Sequence, residues 1–558
     1  MPTFVRQRSV IFVVLIASVT IGIVLRFVNL DTMIYWGDEV YSSIRIFGYT
    51  TQEIYQTVAH GQPIPATVLQ QFQQVGRHHN LGDTIRTLAI EDAHITPLYF
   101  LVARLWAMLF GSSISSIRSL SALFGVALLP AVYWLGIELF KQRRIALCST
   151  ALVAIAPVQL LYAQEARMYE LWVLLIVITG ATLLRAIRRP SWRSWGGFSL
   201  MLSASLYSHF LAAIPLAGYG LYTVVLHYRN RPILKRFLLS STIGILSFCP
   251  WIWVFLMRQV VEQEDGTQKP FSLIEAVKNW FSLFRRLFID VNTTVSGSSL
   301  IAAIALVVIS GFCLAIVDLA IYRLRQETPM AVWLFIGLLI FGLPMSLFGE
   351  SLHGVLPSRY LLPSYVGLQL AIGYLIGSRL THNNAVRRWI WSSSLVALVT
   401  IGLISCASNV QANTWWNKGF SECNPATAAI INQSPRPLVI SDGTGGPFFD
   451  HGLSNIISLA RLVKPTTQFQ VTLEPNYLDL DQGNFSDRFI FTPSDNLRQW
   501  LVSQYGKNMS PVLKLTHPYR GSDICLWRLS DAGFALANDA AATNSRRDAV
   551  PSHPQSPN

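Results

Sequence analysis

Between two long apolar runs, 145–162 and 171–184, the sequence reads Gln164-Glu165-Ala166-Arg167-Met168-Tyr169. Ionisable side chains are costly at the depth of a lipid bilayer, and those that occur there usually serve a function or pair with one another. A second acidic cluster, Trp36-Gly37-Asp38-Glu39, directly follows the first apolar run. Together the two clusters predict a catalytic site at the boundary between water and lipid.

The composition is that of a membrane protein. Of the 558 residues, 52% are hydrophobic and only 13% are charged, with a mean hydropathy of +0.40. Soluble proteins carry about 25% charged residues. Apolar runs long enough to cross a bilayer, roughly 17–25 residues, recur between residues 10 and 408. The first run lacks a small-residue cleavage site, so we expect it to stay as an anchor.

The positive charge of the chain lies in short loops between apolar runs, which is not the pattern of a nucleic-acid-binding protein. These basic residues are Arg6 and Arg8, Lys141, Arg143 and Arg144, Arg185, Arg188, Arg189 and Arg193, Arg229, Arg231, Lys235 and Arg236, Arg323 and Arg325, and Arg387 and Arg388. Short loops rich in Lys and Arg lie on the cytoplasmic side. By that rule, segment 95–110, which carries Arg104, is not expected to cross the membrane. We expect it to lie along the membrane surface or to form a half-span.

The predicted fold class is therefore an α-helical polytopic membrane protein with about eleven transmembrane helices. The predicted spans are 10–29, 117–140, 145–162, 169–186, 195–210, 211–227, 237–257, 299–322, 331–348, 364–380 and 389–408. The N-terminus is then cytoplasmic, and both acidic clusters face outward. Apolar residues at helical spacing over 271–290 predict a further surface helix in an outward loop.

Three domains are expected along the chain. Residues 1–408 form the membrane domain, with a first outward loop over about 30–116. Short β-prone runs and turn signals over 409–529 predict a small extracytoplasmic α/β domain, and the Ala/Asn/Ser/Pro-rich tail 530–558 has the composition of a disordered segment. Cys423 and Cys525 both fall in this outward region, where an oxidising compartment would permit a disulfide.

Several motifs, taken in order, resemble those of GT-C type glycosyltransferases. The resemblance is to bacterial relatives of the protein O-mannosyltransferases and of the lipid A aminoarabinose transferases. The motifs are Trp36-Gly37-Asp38-Glu39, His94-Ile95-Thr96-Pro97-Leu98-Tyr99, Arg118 to Gly125, Tyr162 to Tyr169, Tyr207-Ser208-His209-Phe210 and Arg359-Tyr360-Leu361-Leu362-Pro363. The resemblance implies transfer of a sugar from a polyprenyl-phosphate donor to an acceptor outside the cytoplasmic membrane. It also implies that the family's catalytic aspartate of the first loop is Asp38.

The sequence departs from the family pattern at two of these motifs. It has His94-Ile95-Thr96-Pro97 where related enzymes have His-Pro-Pro. The second acidic site of the aminoarabinose type does not align cleanly with Glu165. Glu165 is accordingly a candidate for holding the acceptor or a metal ion, with neutralisation of Arg167 as the alternative.

The chemistry of glycosyl transfer assigns roles to the remaining candidates. The acceptor hydroxyl needs a base, for which Asp38 or its neighbour Glu39 is the candidate. The departing phosphate needs cations, which arginines or a divalent cation can supply. Arg167 and Arg359 suit bidentate phosphate contact, although interface anchoring is the alternative. The other candidate substrate contacts are His94, Tyr169, His209 and Tyr360.

Two other function classes compete with a membrane glycosyltransferase that inverts the sugar. A transporter or flippase of lipid-linked sugars would show inverted repeats and broken helices, and the sequence shows no repeat. A non-catalytic scaffold that binds glycan through its outward domain would not need the acidic clusters. The lipid bilayer, the lipid-linked donor and an acceptor of unidentified type are the expected partners.

Overall fold

The computed structural model of the chain describes most of its length. The described residues are 2–76, 79–258, 281–291, 300–344, 358–414, 421–443, 452–474, 478, 480, 483–505, 509–517 and 521–529. Residues 271–280, the first half of the predicted surface helix over 271–290, and the whole tail 530–558 lie outside them.

Helices dominate the described residues. In chain order they are α1 (Pro2–Leu25), α2 (Gly37–Phe47), α3 (Thr51–Val58), α4 (Ala66–Gln70), α5 (Leu81–Glu91), α6 (Leu98–Phe110), α7 (Ile114–Phe140), α8 (Arg143–Ala154), α9 (Pro157–Ala163), α10 (Tyr169–Arg188), α11 (Trp192–Ser208), α12 (Ala213–His227), α13 (Arg231–Leu246), α14 (Cys249–Met257), α15 (Leu300–Glu327), α16 (Met330–Ile340), α17 (Leu362–Arg379), α18 (Ala385–Val410), α19 (Asn424–Ile431), α20 (Gly452–Ala460) and α21 (Asp495–Tyr505).

The chain divides into two compact units. The first comprises Met1–Met33 and Asn80–Ala412, and the second comprises Ile34–His79 and Asn413–Asn558. The second unit thus takes in part of the predicted first outward loop, including Trp36 to Glu39. The domain boundaries at 408 and 529 stay predictions.

The first unit is a bundle of apolar helices. Within the described residues, six helices are long and apolar enough to cross a membrane, or up to eight if each of two bent helix pairs forms one span. Shorter apolar helices lie at Val10–Leu25, Leu98–Phe110 and Met330–Pro344. Helix α11 covers the remaining predicted span, 195–210. A helix therefore occurs at each of the eleven predicted spans. The chain is a multi-pass membrane protein.

Helix α6 occupies segment 95–110, which was not counted as a span because the basic loops must lie on the cytoplasmic side. Its 13 residues extend roughly 20 Å, which is less than the hydrocarbon core of about 30 Å. One face of α6 buries Arg104, which donates to the Thr84 hydroxyl at 3.2 Å. Leu109 and Phe110 at its end are 77% and 60% exposed. This short, apolar-faced helix suits the predicted surface or half-span placement.

The second unit is built on a mixed sheet of six strands. They are β1 (His60–Pro65), β2 (Pro437–Ser441), β3 (Gln468–Thr472), β4 (Asp487–Phe491), β5 (Met509–His517) and β6 (Gly521–Leu529), in the spatial order β1-β3-β2-β4-β6-β5. Strand β2 runs parallel to both β3 and β4, and the other pairs are antiparallel. All five residues of β2 are buried, as a central strand requires.

Cys423 and Cys525 form a disulfide in the second unit. The bond joins the residue before α19 to strand β6 across 102 positions of sequence. The pairing that the sequence left open is therefore present in the structure. A covalent link over a loop of this length restricts the unfolded chain and stabilises the unit by about 2–4 kcal/mol.

The predicted orientation is testable with single cysteines. Gln142 lies exposed between α7 and α8, and Gln52 lies exposed on α3. In a background with the exposed Cys249 replaced by serine, we expect an impermeant maleimide to label Q52C in intact cells and Q142C only after lysis. Labelling of Q142C in intact cells would contradict a cytoplasmic α7–α8 loop.

Candidate active site

The segment from Gln164 to Met168 joins a broken helix to the start of α10. Helices α8 and α9 are bent by 62° at their junction, and α9 ends at Ala163. Pro157 begins α9, where its fixed φ suits the first turn of a helix. The last carbonyl groups of α8 therefore need partners from elsewhere in the structure.

Two side chains supply reciprocal caps between α1 and this broken helix. The guanidinium of Arg26 donates to the carbonyl oxygens of Val153 and Ala154, at 3.4 and 2.9 Å. In the other direction, Nε2 of Gln164 donates to the carbonyl oxygens of Leu25 and Val28, at 2.9 and 2.8 Å. These bonds fix the segment that carries Glu165 and Arg167 to the end of α1.

The amide of Gln164 gives a direct test of this anchoring. Gln164→Glu replaces a donor by an oxygen that faces two carbonyl oxygens, so we expect a loss of stability of about 1–3 kcal/mol. The measurement is the thermal unfolding of the purified protein in detergent. Gln142→Glu, at an exposed position, is the matched control, and equal melting temperatures for the two variants would argue against the anchor.

Five of the predicted residues form one cluster in the first unit, which we call the arginine–histidine cluster: Arg167, Tyr169, His209, Arg359 and Tyr360. The ring of His209 lies 6.0 Å from those of both Tyr169 and Tyr360, centroid to centroid. The guanidinium of Arg167 lies 5.6 Å from the ring centre of Tyr169. That of Arg359 lies 5.4 Å from the ring centre of Tyr360. The helix bundle thus brings together two arginines that are far apart in sequence.

His209 lies between α11 and α12, and its surroundings define its protonation. Its Nδ1 accepts the backbone N–H of Leu211 at 3.0 Å. Arg167 and Arg359 both act electrostatically on this buried ring. Because Nδ1 accepts a hydrogen bond, the proton of a neutral imidazole lies on Nε2, which makes that atom a hydrogen-bond donor.

Glu165 lies beside a second set of polar groups. It is fully buried and acts electrostatically on the hydroxyl of Tyr162, as Arg286 and Arg359 also do. That hydroxyl lies 3.0 Å from the hydroxyl of Ser358, to which Arg286 donates at 3.1 Å. The buried carboxylate of Glu165 and two cations thus act on one hydroxyl group, that of Tyr162.

His94 lies near the arginine–histidine cluster but is itself exposed. It interacts electrostatically with His209, less strongly than Arg167 and Arg359 do. Thr96 and Pro97 beside it are buried at the start of α6. His94 therefore sits where it can meet a substrate from the solvent side.

Asp38 and Glu39 belong to the second unit, in the first turn of α2. Acidic side chains are favoured there by the helix dipole. Asp38 is half-buried and Glu39 is fully buried, so the adjacent carboxylates have different surroundings. The backbone N–H of Gly37 donates to the Ser421 hydroxyl at 3.2 Å, and the Ser458 hydroxyl donates to the carbonyl oxygen of Tyr35 at 2.7 Å. Residues 35–39 are thereby fixed to the C-terminal part of the chain.

The structure thus gathers seven of the nine predicted site residues in the first unit and keeps Asp38 and Glu39 in the second. Sequence reasoning missed Tyr162, Arg286 and Ser358 as site residues. Tyr162 belongs to a quoted motif, but an aromatic residue at the end of an apolar run usually indicates a membrane interface. Within the described ranges, no group of three or more His, Cys, Asp or Glu side chains could hold a metal ion, and a divalent cation stays a prediction.

Comparison with known proteins identifies the class of fold. The structure matches that of ArnT from Cupriavidus metallidurans bound to undecaprenyl phosphate, with 12% identity, a TM-score of 0.50, and coverage of 93% of this chain and 98% of that one. The apo state of the same ArnT gives a TM-score of 0.49 at 12% identity, with the same coverage. The Archaeoglobus fulgidus oligosaccharyltransferase, tethered with an acceptor peptide, gives 0.44 at 13% identity over 82% of this chain and 64% of that one.

The sequence comparison agrees with the fold. Residues 94–253 match the family of dolichyl-phosphate-mannose-protein mannosyltransferases. No curated protein matches the chain. The fold is therefore of GT-C type, and the resemblance to GT-C superfamily glycosyltransferases that the motifs predicted is confirmed.

Proposed function

We propose that the protein is an inverting glycosyltransferase that moves a sugar from a polyprenyl-phosphate donor to an acceptor hydroxyl on the extracytoplasmic side. The observation that carries the proposal is the arginine–histidine cluster. Arg167, Arg359 and His209 converge there on one region at the ends of the helices. The undecaprenyl phosphate bound to ArnT supports a donor of the same chemical type.

Each group of the cluster has a role in holding the donor phosphate. Arg167 and Arg359 present planar, permanently charged forks that match phosphate oxygens. The Nε2–H of His209 adds a neutral donor, and Tyr169 and Tyr360 restrict the arginines by stacking. As the bond between the anomeric carbon and the phosphate oxygen breaks, the charge on that oxygen grows, and these donors stabilise it.

The acceptor side of the reaction needs a carboxylate. We assign Asp38 as the base that takes the proton of the acceptor hydroxyl while its oxygen bonds to the anomeric carbon. Attack from the face opposite the phosphate inverts the configuration of the sugar. Glu165, buried beside Tyr162, positions the acceptor or holds a metal ion. The N-terminus is cytoplasmic in this proposal, and the second unit lies outside.

A flippase of lipid-linked sugars is the second candidate, and the two bent helix pairs favour it. Helices α8 and α9 are bent by 62° and helices α13 and α14 by 45°, and discontinuous helices often line transporter sites. In the α8–α9 break, however, Arg26 caps the free carbonyl groups of Val153 and Ala154. A capped break is suited to holding a fixed site.

The deciding experiment incubates the purified protein with a panel of polyprenyl-phosphate sugars and candidate acceptors. Mass spectrometry then follows both lipid and acceptor. An enzyme releases polyprenyl phosphate and adds one sugar mass to an acceptor, whereas a flippase in vesicles changes the leaflet of the donor and not its mass. A parallel reaction with a chelator tests the divalent cation. An intact donor pool with translocation would overturn the proposal.

A further inference from the structure

A groove separates helices α11 and α13 on the surface of the first unit. It encloses about 650 Å³ and is lined from α11 by Trp195, Gly196, Ser199 and Ser203, and from α13 by Arg236 and Ser240. Its apolar walls include Leu200 and Leu239, which are 63% and 60% exposed. Because both helices belong to the membrane bundle, these walls face the region of the lipid chains.

The groove is closed at one end and open along its length. The hydroxyl groups of Ser203 and Ser247 lie 2.6 Å apart and join the helices at the closed end. The helices also touch at Gly244, where an added Cβ would come within 2.9 Å of the Ser199 carbonyl oxygen. At Gly196, by contrast, an added Cβ would meet nothing within 4 Å. The free space is a slot of the kind that an acyl chain can fill.

The open end of the groove is strongly basic. Arg236 lines it, and Arg193, Arg231 and Lys235 occur in the first two turns of the same two helices. The sequence contains no Asp or Glu from Leu171 to Val261, so these cations have no acidic neighbours within that stretch. Trp192 at the same end is 81% exposed, as tryptophans at the headgroup level of a bilayer are.

We propose that this groove binds an anionic glycerophospholipid. One acyl chain lies between α11 and α13, and the headgroup phosphate meets Arg236. Basic pockets between membrane helices recognise anionic headgroups in this way. The bound lipid fills the space between α11 and α13 beside Gly196 and so joins the two helices.

This lipid is distinct from the sugar donor. His209 of the arginine–histidine cluster directly follows the last residue of α11, whereas Trp192 begins the helix. A helix of 17 residues extends roughly 25 Å. A single phosphate cannot contact both ends, so the groove is a second lipid site.

The test measures lipid binding by native mass spectrometry of the full-length protein in neutral detergent. Phosphatidylglycerol and phosphatidylcholine with identical acyl chains are the probes. We expect phosphatidylglycerol to bind more tightly than phosphatidylcholine, and Arg236→Gln to weaken its binding about fivefold. Gly196→Leu should abolish it by filling the slot. Gly197→Leu is the matched control, since an added Cβ at Gly197 also meets nothing within 4 Å but Gly197 does not line the groove.

Three results would overturn the proposal: equal binding of the two phospholipids, equal effects of Gly196→Leu and Gly197→Leu, or a loss at Gly196→Leu of undecaprenyl phosphate binding alone. The last result would make the groove part of the donor site. If Gly196→Leu does not fold, the exposed Arg236 decides alone, because its replacement by glutamine leaves the helix contacts intact. Unchanged phosphatidylglycerol binding in Arg236→Gln would then refute the proposal.

Discussion

Asp38→Asn is expected to lower turnover by about 10²–10⁴-fold, the usual contribution of a general base. Asparagine keeps the shape of the side chain and its capacity to accept a hydrogen bond, but it cannot take a proton. Because Asp38 is only half-buried in the first turn of α2, we expect normal expression and folding. The measurement is sugar transfer by the purified variant at saturating donor and acceptor.

Two companion variants make this result specific. Asp31→Asn changes another, exposed aspartate and should leave turnover unchanged. Glu39→Gln changes the buried neighbouring carboxylate and shows whether that carboxylate is needed for folding. If Asp38→Asn retained wild-type turnover while Glu39→Gln, folded to the same extent, was inactive, the base would be Glu39.

Arg359→Lys is expected to lower catalytic efficiency toward the lipid-phosphate donor by about tenfold to a hundredfold. Lysine keeps the charge but not the two-pronged contact of the guanidinium with phosphate. The loss of one charge-assisted hydrogen bond costs about 1.5–3 kcal/mol, which gives this range. The stacking of Arg359 on Tyr360 is weakened by the same change. Acceptor kinetics should change little.

Arg323→Lys is the matched control for this variant. Arg323 also stacks on a neighbouring tyrosine, Tyr322, at 5.8 Å, but it pairs with Glu327 on an exposed helix surface. Its replacement should leave both donor and acceptor kinetics unchanged. Arg359→Lys with unchanged donor kinetics would mean that Arg359 anchors the protein at the interface and does not bind phosphate.

The helices of the bundle were predictable because each depends mainly on its own sequence. A run such as Ile114–Phe140 must satisfy its backbone internally in lipid, and only a helix does so. Strand β1 shows the opposite case. Its sequence, His60-Gly61-Gln62-Pro63-Ile64-Pro65, carries two prolines and no alternating pattern. It forms a strand because its partner β3 lies some 400 residues later, at the edge of a sheet where prolines are tolerated.

The same distinction applies to the candidate site. Arg167 and Arg359 could be selected singly, since permanent charges at the ends of apolar runs are conspicuous in the sequence. Their convergence on His209, and the contact of Arg286 with Ser358, depend on packing between distant helices. The reciprocal caps of Arg26 and Gln164 were equally hidden, because their partners are backbone carbonyl groups, which every residue carries.

The pairing of β1 with β3 has a consequence for biosynthesis. The ribosome makes residues 60–65 roughly 400 residues before residues 468–472, and at 5–20 residues per second this delay is roughly 20–80 s. During that time strand β1 lacks its sheet partner, and for most of it the segment that holds Asp38 lacks the hydroxyl groups of Ser421 and Ser458. A ribosome stalled before residue 421 would therefore leave the segment of Asp38 without its hydrogen bonds to Ser421 and Ser458. Residues translated late thus complete the surroundings of residues translated early.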